Sequence, residues 1–277
     1  MKKVYLFISL MLSALAIGCN NSGPEEQTPV TPGVGGKAVI TVNTTLPADL
    51  TWQAGDKVAI NGLESEAVTE ENAGGVSYPF AISGVEAPLV VVAPFEILSG
   101  LNEVTLPSVQ DYVADSFDRS AYGLAGIAPE VRSVADGDDK NLVANVALNA
   151  VMGVVSLPIT LDSATAAAPI KIKQISLTAL SGAPLSGVWN AEAETTTDEA
   201  GVVSYDVKLT ADAAKSAATV NVNCGEGVEI NTSSPVYFNV VVPAGVYTGG
   251  FEAVVTDVDD HNYIITLAED VAVERGA

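Results

Sequence analysis

Few residues in this sequence could do covalent chemistry, so each can be weighed singly. His261 is the only histidine, in Asp257-Val258-Asp259-Asp260-His261-Asn262, the composition of a hairpin turn that leaves an imidazole in solvent. A Ser-His-Asp triad would have to use it, yet no serine lies in a Gly-x-Ser-x-Gly elbow. The two cysteines are Cys19 and Cys224, and one histidine with one free thiol does not assemble a His/Cys zinc site. Cys224, in Val220-Asn221-Val222-Asn223-Cys224, reads as a small strand side chain and not as a nucleophile. Two acidic clusters, Asp136/Asp138/Asp139 and Asp257/Asp259/Asp260, offer the oxygen-rich loops that calcium takes. Neither has the EF-hand spacing, and turn chemistry accounts for both. Asp257, Asp259 and Asp260 are kept as a weak calcium candidate; no catalytic residue, cofactor or other metal is expected. Carboxylates for glycoside hydrolysis are plentiful among 34 acids, and that abundance carries no signal. Trp52 and Trp189 are sugar-stacking platforms if exposed and core residues if buried. No Gly-rich loop opens a helix with Lys-Ser or Lys-Thr, so phosphate cradles are absent.

Cys19 has the most specific setting. Lys2 and Lys3 precede a mostly apolar run from Val4 to Ile17, and Leu15-Ala16-Ile17-Gly18-Cys19 closes it. A positive start, a short apolar stretch and a small residue before the break make a secretory signal peptide over 1–18. Cleavage between Gly18 and Cys19 would expose a thiol for acylation, the chemistry of a bacterial lipoprotein. Residues 19–37 then read as a flexible tether, rich in Pro, Gly, Thr and Glu. As a coil it holds a folded body on the order of 20–25 Å from the lipid. The formal charge is −22, and it grows more negative once Lys2 and Lys3 leave. That excess excludes a nucleic-acid footprint, so the expected attachment is to the outer membrane through lipid and not through a basic patch.

From Ala38 onward the pattern is β. Val39–Val42, Lys57–Ile60, Leu89–Val92, Glu103–Leu106, Leu142–Ala147, Val151–Leu161, Ile170–Thr178, Val202–Leu209, Ala217–Cys224, Val236–Val242, Phe251–Asp257 and Tyr263–Leu267 are expected strands, punctuated by Gly, Pro and Asp. In the 170–178 strand, alternation puts Ile170, Ile172, Gln174, Ser176 and Thr178 on one face. Ser108–Gly126, with scattered Tyr112, Phe117 and Tyr122, is expected to cross between sheets. Asp162–Ala168 and Asp212–Ala218 have helical alanine content but are too short to stand alone. The loop Asp136-Gly137-Asp138-Asp139 suggests a boundary, giving domains at 38–139 and 140–277. Many short strands with regular turns and no fixed-period repeat point to β-sandwiches.

Three stretches together resemble the fimbrillin-like family of surface lipoproteins. They are Trp52-Gln53-Ala54-Gly55-Asp56-Lys57-Val58; Leu106-Pro107-Ser108-Val109-Gln110-Asp111-Tyr112 with Ser116-Phe117-Asp118; and Pro235-Val236-Tyr237-Phe238 leading to Val242-Pro243-Ala244-Gly245. The resemblance implies two stacked β-sandwich domains of transthyretin-like Greek-key topology, no enzymatic activity, and a role in fimbriae or adhesion. It also implies partner subunits engaged by β-strand exchange, in which a protease removes a first strand and a neighbour's strand fills the groove. Family maturation follows arginine, but no arginine lies between Cys19 and Arg119; Lys37 is the candidate processing site. A cut there would free the tether without removing a strand, which fits an anchor, accessory or tip subunit or an adhesin better than a shaft subunit. The competing expectation is a glycan-binding surface lipoprotein serving a nutrient importer, which requires Trp52 or Trp189 to be exposed.

Overall fold

The computed structural model describes residues 38–98, 103–136, 139–162, 168–197, 201 and 203–276. The chain is all-β. Its first part forms β1 (Val39–Thr45), β2 (Ala59–Ile60), β3 (Leu63–Glu64), β4 (Ser77–Ser83), β5 (Leu89–Ala93), β6 (Glu103–Leu106), β7 (Val109–Asp111), β8 (Leu124–Ala128), β9 (Arg132–Asp136), β10 (Asp139–Ala147) and β11 (Asn149–Ala150). Its second part forms β12 (Met152–Ile159), β13 (Ile170–Ala179), β14 (Ser186–Thr197), β15 (Val203–Ala217), β16 (Thr219–Ile230), β17 (Val236–Pro243), β18 (Gly245–Tyr247), β19 (Phe251–Asp257), β20 (Asn262–Leu267) and β21 (Val271–Val273). No helix among the described residues is long and apolar enough to cross a membrane.

Two buried clusters organise these strands. The first draws on the sheets β4-β1-β10-β9 and β11-β8-β5-β2-β3, closed by Val104, Leu106, Trp189 and Val207. The second lies between the inner face of β20-β19-β13-β16-β7 and the β12-β17 and β18-β21 pairs. β1 occupies the middle of its sheet, antiparallel to β4 and parallel to β10. Its alternation buries Ile40, Val42 and Thr44, and the Thr44 hydroxyl donates to the Tyr78 carbonyl at 2.8 Å. Burying Ile40 and Val42 contributes about 1.5–3 kcal/mol each.

Several expectations shift. The acidic loop at 136–139 does not separate domains: β9 and β10 are an antiparallel hairpin with Asp136 opposite Asp139, and β10 pairs with β1. Leu148, Ala150, Val151 and Met152 also pack into the first cluster, as do Trp189, Ala191, Val207 and Val241, so that cluster draws on strands from both sides of 139/140. Lys173 sits in a bulge between Ile172 and Gln174. The extra residue turns Ile172 inward beside Ile175 and Leu177, where strict alternation puts it with Gln174 and Ser176. Asp212–Ala218 is not helical; the pairing of β14 with β15 jumps from Trp189–Ala211 to Gly187–Ser216, leaving Asp212–Lys215 bulged. Residues 163–167 of the other alanine-rich stretch lie outside the described residues.

Candidate functional site: the joint between the two cores

The stretch Ser108–Gly126 does cross between sheets, and the three singled-out motifs meet along it. The crossing starts at β6, which pairs with β14 against the first core. Two residues later β7 runs parallel to β16 at the rim of the second. Pro107 separates them and carries no N–H that either ladder could use. The Ser108 carbonyl accepts from the Asn221 N–H and the Tyr112 N–H donates to the Asn223 carbonyl, both at 2.9 Å.

Gln110 is the centre of the joint and is 3 % exposed. Its Nε2 donates to the Val241 carbonyl at 2.7 Å and its Oε1 accepts from the Val241 N–H at 2.9 Å. The amide thus serves as a one-residue strand partner for the free side of β17. Tyr112 packs on Phe238 with ring centroids 5.2 Å apart, and Asn239 Nδ2 donates to the Ser116 carbonyl at 2.8 Å.

The crossing then returns to the first core. Phe117 stacks on Tyr122 at 4.5 Å. Asp118 accepts from the Asp111 N–H through Oδ2 and from the Ser120 N–H through Oδ1, each at 2.9 Å. Arg119 Nη2 donates to the Thr51 carbonyl at 3.1 Å and lies 3.6 Å from Asp56 Oδ2. Asp56 is the acid of the Trp52–Val58 stretch. Its Oδ2 accepts from the Gln53 N–H at 2.7 Å, and Gly55 takes a φ of +93° to close that turn. Side-chain closure of this kind is why Asp follows Gly here.

A cleft of about 290 Å³ lies beside the joint, with Leu46, Trp52 and Tyr122 among its walls and Arg119, Asp56 and Lys57 at its edge. Arg119 pairs there with Asp56 and Lys57 with Glu64 at 2.6 Å, and Glu96 also lines the cleft. Burial pushes the Tyr122 phenol up to about 12. Ser120, also in the lining, donates its hydroxyl to Asp118 Oδ1 at 2.6 Å.

The remaining sequence candidates can now be located. Cys19, Gly18 and Lys37 lie outside the described residues. Trp52 and Trp189 are 2 % and 8 % exposed and belong to the first core, so neither offers a ring face to a sugar. Cys224 is buried and its thiol is pushed up to about 12, which keeps it protonated. Of the calcium candidates, Asp257 and Asp259 come together with His261, while Asp260 is held by Lys173.

Asp257 is spent on its own turn. Oδ1 accepts from the Asp259 and His261 N–H groups at 2.9 Å, and Oδ2 from His261 Nδ1 and the Tyr263 hydroxyl at 3.0 Å. Those four bonds use the carboxylate's lone-pair positions, leaving none for a cation. Burial raises its pKa, but the bonds from His261, Tyr263 and Asp259 outweigh it and hold the group below the usual carboxyl range. His261 is exposed, as the turn composition predicts.

No family model matches the sequence, and no curated protein matches it. Among solved structures the chain is similar to the tip fimbrial protein Mfa3 from Porphyromonas gingivalis with C-terminal truncation, at 10% identity over 83% of this chain and 81% of that one, with a TM-score of 0.35. It is also similar to a fimbrial protein from Bacteroides ovatus, at 10% identity over 86% of this chain and 47% of that one, with a TM-score of 0.30.

Proposed function

We propose that this chain is a non-enzymatic surface protein of fimbrial type, tied to the outer membrane by lipid on Cys19 and acting in fimbrial assembly or adhesion. The observation that carries the reading is the joint. The Trp52, Gln110 and Phe238 stretches, far apart in sequence, form one connected unit that ties the two β cores together. Such a unit transmits load from one core to the other, as a role in fimbriae or adhesion requires.

The position of β1 refines the role. It starts two residues after Lys37 and is hydrogen-bonded on both sides. A cut at Lys37 leaves it seated, so no strand-wide groove opens for a neighbour. A subunit that keeps its first strand suits an anchor, accessory or tip position, or a lone adhesin. The glycan-importer alternative loses its platforms with the burial of both tryptophans.

Fractionation tests this. Wild-type protein should sediment with outer membranes and be cleaved on intact cells by added protease, and Cys19→Ala should release it to the periplasm or medium. Recovery of both forms from the cytoplasm would overturn the proposal.

A further inference from the structure

Sheet edges present unpaired backbone groups, and soluble proteins normally blunt them. Most edges here are blunted. β4 carries Pro79, β12 carries Pro158, and β9 and β15 carry charged residues such as Arg132 and Lys208. β3, β7, β11, β18 and β21 are two or three residues long. In β17, Gln110 takes up the outward N–H and C=O of Val241, and Pro243 ends the strand.

β20 is different. Asn262-Tyr263-Ile264-Ile265-Thr266-Leu267 contains no charge, proline or glycine, and its register with β19 is unbroken over six pairs. The Asp257 N–H donates to the His261 carbonyl, so 257/261 is a hydrogen-bonded pair. By antiparallel alternation 255/263, 253/265 and 251/267 are too. The N–H and C=O groups of Asn262, Ile264 and Thr266 therefore face the open side. Ile264 is 66 % exposed beside them. The strand is also rigidly started, because Asp257 fixes the preceding turn through His261 and Tyr263.

Charge decides the occupant. Asp259 and Asp260 precede the strand and Glu269 and Asp270 follow it. Asp260 meets Lys173, but Asp259 and Glu269 have no ion-pair partner among the described residues. A second copy paired in either direction would set acids against acids at both ends, on chains of formal charge −22. We infer that β20 is a docking edge for an extended strand of a different protein, with an uncharged β-branched centre and lysine or arginine at both ends. The edge geometry carries this independently of the proposed surface role.

The test uses the full chain in mild detergent and synthetic peptides read by fluorescence anisotropy. One peptide has alternating threonine and valine between pairs of lysines; a second replaces the lysines by glutamates. Two more are lysine-flanked and N-methylated on one or the other alternate set of residues. The lysine peptide binds, and the glutamate peptide binds at least about tenfold more weakly at low salt. One N-methyl phase abolishes binding and the other does not, because only one faces β20. Ile264→Pro removes an outward N–H and no ladder bond; it and Ile264→Lys both lose binding while keeping the wild-type circular dichroism spectrum. Failure of every peptide to bind, equal binding of both flanks, indifference to both N-methyl phases, or a wild-type dimer broken by Ile264→Lys each overturns the inference.

Discussion

Replacing Gln110 by methionine tests the joint with little change in volume. The amide spans 131 residues of sequence to satisfy both backbone groups of Val241. Val241 lies opposite Val154 in the β12–β17 ladder, and its N–H and C=O point away from β12 because Gln110 takes them. Methionine fills the space but leaves a buried donor and a buried acceptor unpaired. Each such group costs about 1–3 kcal/mol, so Gln110→Met should lose about 2–6 kcal/mol. At urea slopes of roughly 1–3 kcal/mol per molar, a loss near the middle of that range moves the midpoint down by about 1–4 M. Trp52 and Trp189 both sit in the first core, so tryptophan fluorescence follows that core while far-UV circular dichroism follows both. The two signals should coincide in wild type and separate in the variant. Gln110→Glu keeps the acceptor and loses the donor, placing a carboxylate against the Val241 carbonyl. Its folded-state pKa must then rise, so its defect should shrink as pH falls toward the unfolded carboxyl value near 4.3 and the protonated acid donates again. A Gln110→Met loss below about 0.5 kcal/mol, with coincident transitions, would refute the assigned role.

Three further outcomes follow from single sites. A Cβ on Gly126 would lie 2.3 Å from the Ala147 carbonyl oxygen, so Gly126→Ala should cost about 1–3 kcal/mol or more in thermal unfolding through forced backbone shifts. Asp257 has a lowered pKa and so contributes stability above its unfolded pKa, lost as pH falls through the folded one. Asp257→Asn should be less stable than wild type at pH 7, and the gap should close in acid melts below about pH 4. Cys224, raised to about 12 by burial, should resist thiol reagents at pH 8 until the protein is denatured; ready labelling of the native state would contradict the packing.

How much of this was legible in the residues depended on whether neighbours or distant partners set the outcome. β6 and β19 match their expected spans because short apolar alternation between turn residues needs no outside information. β14 was not foreseen: Glu192–Thr197 has no apolar face and is a strand only because β15 pairs with it. Asp136 and Asp139 face each other across β9 and β10, and the composition of an acidic glycine stretch does not say whether it joins two strands or two domains. The bulge at Lys173 is set by cross-strand register, and alanine content at 212–218 yielded to pairing with β14. Gln110 stood in a recognised stretch without an assigned role, since its partner is a backbone group that no spacing reveals. One signal was available: an amide between Val109 and Tyr112 at a position whose alternation calls for burial.

The account turns on a chain that keeps its lipid and its first strand. Mass spectrometry of the N-terminal peptide from protein extracted from its native membrane tests this most directly. An acylated Cys19 peptide with the Lys37–Ala38 bond intact is the predicted result. An unmodified mature chain starting at Ala38 would contradict it.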